Sequence, residues 1–164
     1  MSIVLDGGLN KITGVAGTIL QVQTTTLDGV LSGGTAGAPT TITNGVQVFS
    51  LSFTPIVASS IILVQTSTTN VMEESNGGDY TWMALWDGST FIAANSGHAG
   101  YTHGLDKGFL SMNHSYSAGT TSTRTISVRA GLNAGTVYVN GNGVSTNYTG
   151  SSARLQMTVW EIAT

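Results

Sequence analysis

The chain has no cysteine and few charged residues, and each deficit excludes a class of protein. Its 164 residues include 22 glycines and two prolines, while Asp, Glu, Lys and Arg together make up 8%. An ordinary soluble domain carries about 25% charged residues. Without cysteine there is no disulfide framework, no thiol catalysis and no thiolate metal site.

Long apolar runs are also missing. The longest run of large apolar residues covers positions 61–64, whereas a membrane-spanning helix needs about 20 residues, so we predict no membrane span. Disordered chains combine few apolar residues with high net charge, but here 40% of the residues are hydrophobic and the net charge is -3. The sequence therefore predicts one folded domain.

The basic residues are too few and too scattered to neutralise a row of phosphates, so we expect no nucleic-acid partner. They are Lys11, Lys107, Arg124, Arg129 and Arg154. The N-terminus has neither a basic start nor the apolar core of a secretory signal, so export by the ordinary route is not expected.

Apolar residues recur with a period of two in several segments, and this period predicts half-buried β-strands. The clearest alternation is that of Leu155, Met157 and Val159, and similar alternation occurs in 49–53 and 126–128. Further strands are predicted at 18–26, 91–94, 109–114 and 135–140, with turns at 87–88 and 140–141. No segment has a convincing helical stripe.

Two segments are apolar on consecutive residues, as is typical of strands covered on both faces. They are 61–64 and the nearly apolar Trp-Met-Ala-Leu-Trp of 82–86. One face of each strand would meet the core. The other face requires a second sheet or a neighbouring subunit.

Eight or nine short strands in one domain predict an all-β fold, an antiparallel β-sandwich of the jelly-roll or immunoglobulin-like type. We assign the sandwich to residues 18–164 and predict that the glycine-rich segment 28–39 is a long exposed loop. Residues 1–17 are predicted to be an extended N-terminal arm or anchor with small apolar anchors at 3–5 and Ile12. Two interpretations stay open, namely an arm that packs on another chain and a first strand of the same domain.

The three histidines are the obvious candidates for a metal site. His98 and His103 lie five residues apart with Asp106 nearby, and His114 follows on the chain. A tetrahedral site needs three or four converging ligands, usually at tighter spacing. We therefore expect no metal and no cofactor, and interpret the histidines as polar loop residues.

No arrangement in the sequence predicts catalysis. Glu73 and Glu74 are adjacent, so on a strand they would point to opposite faces, and no calcium-loop pattern accompanies them. Serine is abundant, but there is no Gly-x-Ser-x-Gly motif. We expect no catalytic residues and no enzymatic activity.

The three tryptophans allow a second binding hypothesis. Trp82, Trp86 and Trp160 would form a sugar-stacking platform if they faced outward, as in a lectin-like carbohydrate-binding module. Trp82 and Trp86 share a strand face with Ala84, and this spacing favours burial inside a sheet or an interface.

Several short strings lie in order along nearly the whole chain, at 2–8, 12–14, 17–24, 51–55, 58–64, 135–140 and 155–162. Together they resemble a β-rich domain common in tail-fibre and other virion proteins of aquatic bacteriophages. The chain departs from that family's pattern at Ile61, where lysine is frequent, and at Trp160, where methionine is common. It also lacks the long repetitive shaft of a complete fibre.

The resemblance implies a non-enzymatic virion structural protein, commonly trimeric, that is assembled in the host cytoplasm. We expect a short fibre or tail-tip protein that touches the host, with capsid decoration as the alternative. The arm is expected to contact other virion proteins of the capsid or tail. For the fibre-tip version, the residues predicted to meet a host surface glycan are Tyr101, His103, His114 and Tyr116.

Overall fold

The computed structural model describes residues 4–6, 11–13, 16–34, 36–67, 69–73, 80–98, 107–133, 136–140 and 154–164. Every regular element in these ranges is a β-strand, and every strand pair is antiparallel. The strands are β1 (Val4–Asp6), β2 (Lys11–Thr13), β3 (Ile19–Asp28), β4 (Leu31–Gly33), β5 (Val46–Phe53), β6 (Ile61–Thr66), β7 (Thr69–Glu73), β8 (Tyr80–Asp87), β9 (Thr90–His98), β10 (Lys107–Leu110), β11 (Asn113–Ser117), β12 (Arg124–Leu132), β13 (Val137–Val139) and β14 (Arg154–Ile162).

Two four-stranded sheets pack face to face, which confirms the predicted antiparallel sandwich. The first sheet has the order β11-β6-β14-β3 and the second has the order β5-β12-β8-β9. Along the chain, every connection between these eight strands passes from one sheet to the other, except the turn that joins β8 to β9. The first of the eight is paired with the last. This is the strand order of a jelly roll, and it decides between the two predicted sandwich types.

A third sheet closes one end of the sandwich. Its order is β10-β7-β13-β4, and each of its strands comes from a different connection between the two main sheets. The opposite end carries the connections 54–60, 88–89 and 118–123, together with the start of β3 and the end of β14. The two ends therefore differ in construction, one strand-built and the other made of short loops.

The core lies between the two main sheets, where the predicted alternation places it. Met157 and Val159 of β14 are fully buried and meet Ile126 and Val128 of β12, which are also fully buried. Their neighbours Thr158 and Trp160 face the opposite side of the first sheet. Burial of the inward row is what holds the two sheets together.

Two local predictions are wrong. The strand predicted over 109–114 is divided, because Phe109 pairs within the small sheet on β10 whereas His114 pairs with Val64 on β11. The glycine-rich segment 28–39 is not loop throughout, because it contains β4, which pairs with β13. In both places the backbone pairs with strands distant in sequence, which local composition does not encode.

The N-terminal strands β1 and β2 pair with each other, in the register Val4 to Thr13, Leu5 to Ile12 and Asp6 to Lys11. Near Gly17 the chain joins the first sheet. The Gly17 N–H donates to the Ala163 carbonyl, and the Ala163 N–H donates to the Thr18 carbonyl, both at 2.8 Å. The assignment of residues 1–17 to a separate arm and 18–164 to the sandwich stays a prediction.

Candidate interaction face

The interpretation of the histidines as loop residues is wrong for His98 and His114, which lie on β9 and β11. Two of the four predicted glycan-contact residues lie on a strand and are half-buried. His114 and Tyr116 are on β11, opposite the buried residues Val64 and Ile62. Burial and the nearby Asp87 carboxylate raise the pKa of the Tyr116 phenol above its ordinary value. Tyr101 and His103 lie outside the described residues. A host-contact role for these four residues stays a prediction.

The described residues hold no cluster of metal-ligating or acidic side chains. No three His, Asp or Glu residues gather there in a way that could hold a metal ion. Glu73 lies on β7, while Glu74 and Asp106 are outside the described residues. No helix in the described part of the chain is long and apolar enough to cross a membrane.

The strand β8 of the second sheet is apolar on its outer side as well as on its core side, and both sides are buried within the chain. On β8, Met83 and Leu85 point into the core, whereas Trp82, Ala84 and Trp86 form a separate cluster on the other side. Trp82 and Trp86 are 2% and 3% exposed. The prediction that β8 is buried on both faces is confirmed, and a sugar platform built from these two tryptophans is wrong.

The segment 36–45 covers Trp82, while Trp86 packs edge-on against Phe91 with ring centroids 5.5 Å apart. The Trp82 indole N–H donates to the Gly37 carbonyl at 3.0 Å, and Arg129 donates to the carbonyls of Asn44 and Gly45 at 2.8 and 2.6 Å. Gly131 lies directly under the Trp82 ring, and a Cβ at that position would overlap it. The segment is therefore bound through specific hydrogen bonds and close packing.

The outer face of the first sheet is apolar at one end, and no segment among the described residues is bonded over it as 36–45 is over Trp82. Trp160 of β14 stands between Val22 of β3 and Leu63 of β6, and in the next row Ile162 stands between Ile19 and Ile61. Ile19 is 50% exposed and Val22 is 44% exposed, and the other four are half-buried. We call these six residues the bare face.

The rest of this outer surface is polar and almost free of charge. Beyond the bare face the outward side chains on β3 and β14 include Thr24, Thr26, Gln156 and Thr158. At the far end Arg154 and Asp28 form an exposed ion pair at 2.8 Å. An uncharged surface of this kind is typical of interface cores, which are depleted of charged residues.

A shallow polar depression of about 370 Å³ adjoins the bare face. Its lining includes Gln65, Ser67, Gln156 and Thr158. Several of these groups already bond one another, for example the Gln156 N–H to the Ser67 hydroxyl at 2.9 Å. The depression extends the uncharged surface of the first sheet and contains no ionisable group.

A buried carboxylate fixes the corner where the bare face ends. Glu161 points inward from β14 and is fully buried. Its oxygens accept hydrogen bonds from the N–H groups of Ile56 and Val57 and from the Ser60 hydroxyl, at 2.7–2.9 Å. The Gln21 side chain donates another at 2.6 Å. One acidic group therefore ties the connection 54–60 to the first sheet.

The electrostatics of this carboxylate follow from its donors. Burial acts to raise the pKa of Glu161, but the hydrogen bonds from Ile56, Gln21, Val57 and Ser60 outweigh burial, and the pKa is lowered. The ionised form is thus the one that the fold holds. Its neighbour Ile56 is displayed at the same corner, 40% exposed.

The sequence analysis missed Ile19 and Val22, the most exposed residues of the bare face. Both lie in a strand of mixed polar and apolar residues, where nothing marks them as an interaction site. The signal was the apolar run 61–64, which required cover on a second face. In the described part of the chain, Trp82 of β8 has such cover, whereas Ile61 and Leu63 of β6 stay half-buried.

Comparison with solved structures gives similar structures from infectious bursal disease virus. No protein-family model matches the chain, and no curated protein matches it. A structure of the VP2 subviral particle of infectious bursal disease virus is similar over 100% of this chain at 16% identity, with a TM-score of 0.40. A structure of the Gx strain of that virus gives 15% identity and a TM-score of 0.42.

The chain spans about two fifths of those viral proteins, 42% of each. A further similar structure is dimeric latent PorU from Porphyromonas gingivalis. The match covers 92% of this chain and 14% of PorU at 11% identity, with a TM-score of 0.40.

Proposed function

We propose that the protein is a non-enzymatic structural subunit of a bacteriophage particle that works as a homo-oligomer. The observation that carries the proposal is the bare face. A folded jelly roll that covers one apolar outer sheet face with its own segment and leaves the other open is built to join another protein surface. The sequence resemblance to phage virion proteins supports the assignment to a bacteriophage particle. Trimers are common in that family.

The outer surface of the first sheet supplies part of an assembly interface. Its strands of 10, 9, 6 and 5 residues, about 4.8 Å apart and at about 3.3 Å per residue, span roughly 480 Å². Two such surfaces bury about 950 Å², below the roughly 1,200 Å² of a specific and stable interface, so further contacts between subunits must contribute. The deficit of charge over the whole chain fits the same role, because charge is depleted where subunits meet.

We place the trimer on the outside of the particle, as a short fibre or tail-tip protein that contacts the host. Two tests address this placement. Antibodies against the purified protein should label intact particles from lysates of the infected host in immunogold electron microscopy, and unlabelled particles would contradict the virion role. Binding of the oligomer to host cells or to a glycan array would support host contact.

The alternative is a decoration protein that stabilises the head. Its uncharged outer surface suits a role of covering other capsid subunits as well as it suits oligomerisation. Gold label over heads, together with lower heat resistance of particles that lack the protein, would favour decoration. Label confined to the tail tip would exclude it.

A further inference from the structure

The bare face requires an occupant, and the chain carries an element that is itself short of a packing surface. An isolated two-stranded hairpin is at best marginally stable in water, and the described strands β1 and β2 pair with each other. The chain contributes Val4, Leu5 and Ile12 to this pair. An element of this kind is stabilised only by docking on a sheet or a helix.

The position and charge of the β1–β2 pair suit the bare face. The chain reaches the sandwich at Gly17, whose bond to Ala163 lies next to Ile162 and Ile19. Gly17 has a φ of 81°, a left-handed conformation that glycine adopts without strain and that redirects the chain. In the β1–β2 register Asp6 stands opposite Lys11, so the pair brings no net charge to an uncharged surface.

The occupant comes from another subunit. Within the single chain Ile19 is 50% exposed and Val22 is 44% exposed, although β1 and β2 are present. The chain's own β1–β2 pair therefore does not cover them. A two-stranded pair is about 10 Å wide and, over three residues, about 10 Å long. That footprint is comparable to the two rows of the bare face.

We infer that the β1–β2 pair of one subunit docks on the bare face of the next. This inference rests on the proposed homo-oligomer and names the contact that holds it together. The contact joins two different surfaces, so it is heterologous, and repetition of a heterologous contact closes a ring when the rotation allows. Face-to-face packing of two bare faces would instead give an isologous dimer.

The test uses two variants and their mixture. One variant lacks residues 1–13 and keeps the bare face. The other, Val22→Lys, keeps β1 and β2 but places a charge on the face, at an exposed site where the fold tolerates it. Light scattering after size exclusion should give the monomer mass for each variant alone and about twice that mass for the equimolar mixture, because one β1–β2 pair finds one intact face.

The results separate this inference from the proposed function. A wild-type chain that is monomeric would overturn both. If the oligomer persists after deletion of residues 1–13, the inference alone is overturned. This holds whether the deleted segment binds the capsid or has no partner. If the deletion variant associates while the wild type does not, the pair covers its own face, and the exchange between subunits is wrong.

The absence of cysteine allows a direct check without background. Ile12→Cys combined with Leu63→Cys should give disulfide-linked dimers and higher species on a non-reducing gel. The two single variants serve as controls. Each carries one cysteine per chain, so it can link at most two subunits and cannot link a ring. A disulfide formed only within one chain, seen by mass spectrometry as an unlinked monomer that has lost two hydrogens, would contradict exchange.

Discussion

Both main sheets carry apolar side chains on the side that faces away from the core, but among the described residues only those of β8 on the second sheet are fully buried. On the second sheet Trp82 is 2% exposed beneath the segment 36–45. On the first sheet Val22, beside Trp160, is 44% exposed. The difference shows that continuous apolar strands predict a need for cover, whereas the source of the cover depends on tertiary structure.

The largest expected effect is on the covered face. Trp82→Ala removes a buried indole and its hydrogen bond to Gly37, and we expect unfolding to become easier by about 3–5 kcal/mol. Thermal or urea unfolding followed by circular dichroism measures this loss. The loss should not depend on protein concentration, because the contact lies within one chain.

The matched control is Trp160→Ala on the bare face. Trp160 is only half-buried in the single chain, so its loss should cost the subunit less than the loss of Trp82. Its effect should instead grow with protein concentration, since stability gained from association follows mass action. Equal, concentration-independent losses for the two variants would remove the distinction between the faces.

The next effect concerns the corner held by Glu161. Glu161→Gln keeps the shape of the side chain but loses the charge that accepts four donors, and should cost about 1.5–3 kcal/mol at neutral pH. The folded pKa of this group is lowered, so its contribution is complete above the unfolded value near 4.5 and is lost as pH falls through the folded pKa.

The pH dependence gives the decisive comparison for this carboxylate. Urea midpoints of the wild type should fall as the pH drops below about 4.5, and those of Glu161→Gln should fall less over the same range. The difference in urea midpoint between the wild type and Glu161→Gln therefore becomes smaller below about pH 4.5. A difference in urea midpoint that stays constant down to pH 3 would contradict a stabilising role of the ionised Glu161 carboxylate.

The smallest effect is optical. Acrylamide should quench Trp160, which is half-buried, more than Trp82 or Trp86, which are 2% and 3% exposed. Trp160→Phe should therefore remove most of the quenchable fluorescence of a dissociated subunit, and quenching should decrease when the protein is concentrated enough to assemble. Strong quenching that survives Trp160→Phe would place the buried tryptophans in contact with solvent.

Much of the fold was predictable because alternation reports burial directly. Leu155, Met157 and Val159 face the core as their period of two requires, and the turn after Asp87 follows from its glycine, Gly88, which has a φ of 57°. The strand β13 was predicted within 135–140, but the small sheet that it joins was not, because β4 lies in a glycine-rich segment and pairs with β13 at a distance in sequence. A three-residue strand such as β4 leaves no periodic pattern in the sequence.

The candidate site was only half predictable, for a related reason. The run 61–64 predicts a second apolar face, and Ile61 and Leu63 do lie on the outer side of the first sheet. Which neighbours line that surface depends on the register that sets Val22 and Leu63 on either side of Trp160. Register is fixed by the whole sheet, so Ile19 and Val22 could be identified only from the structure.

The most direct test of the account is the mass in solution of three proteins at equal concentration. They are the wild type, Val22→Lys, and Ile42→Lys, whose replaced isoleucine is 37% exposed in the segment over the second sheet. The account predicts an oligomer for the wild type and for Ile42→Lys, and a monomer for Val22→Lys. A wild-type monomer, or an oligomer that Val22→Lys leaves intact, would contradict it.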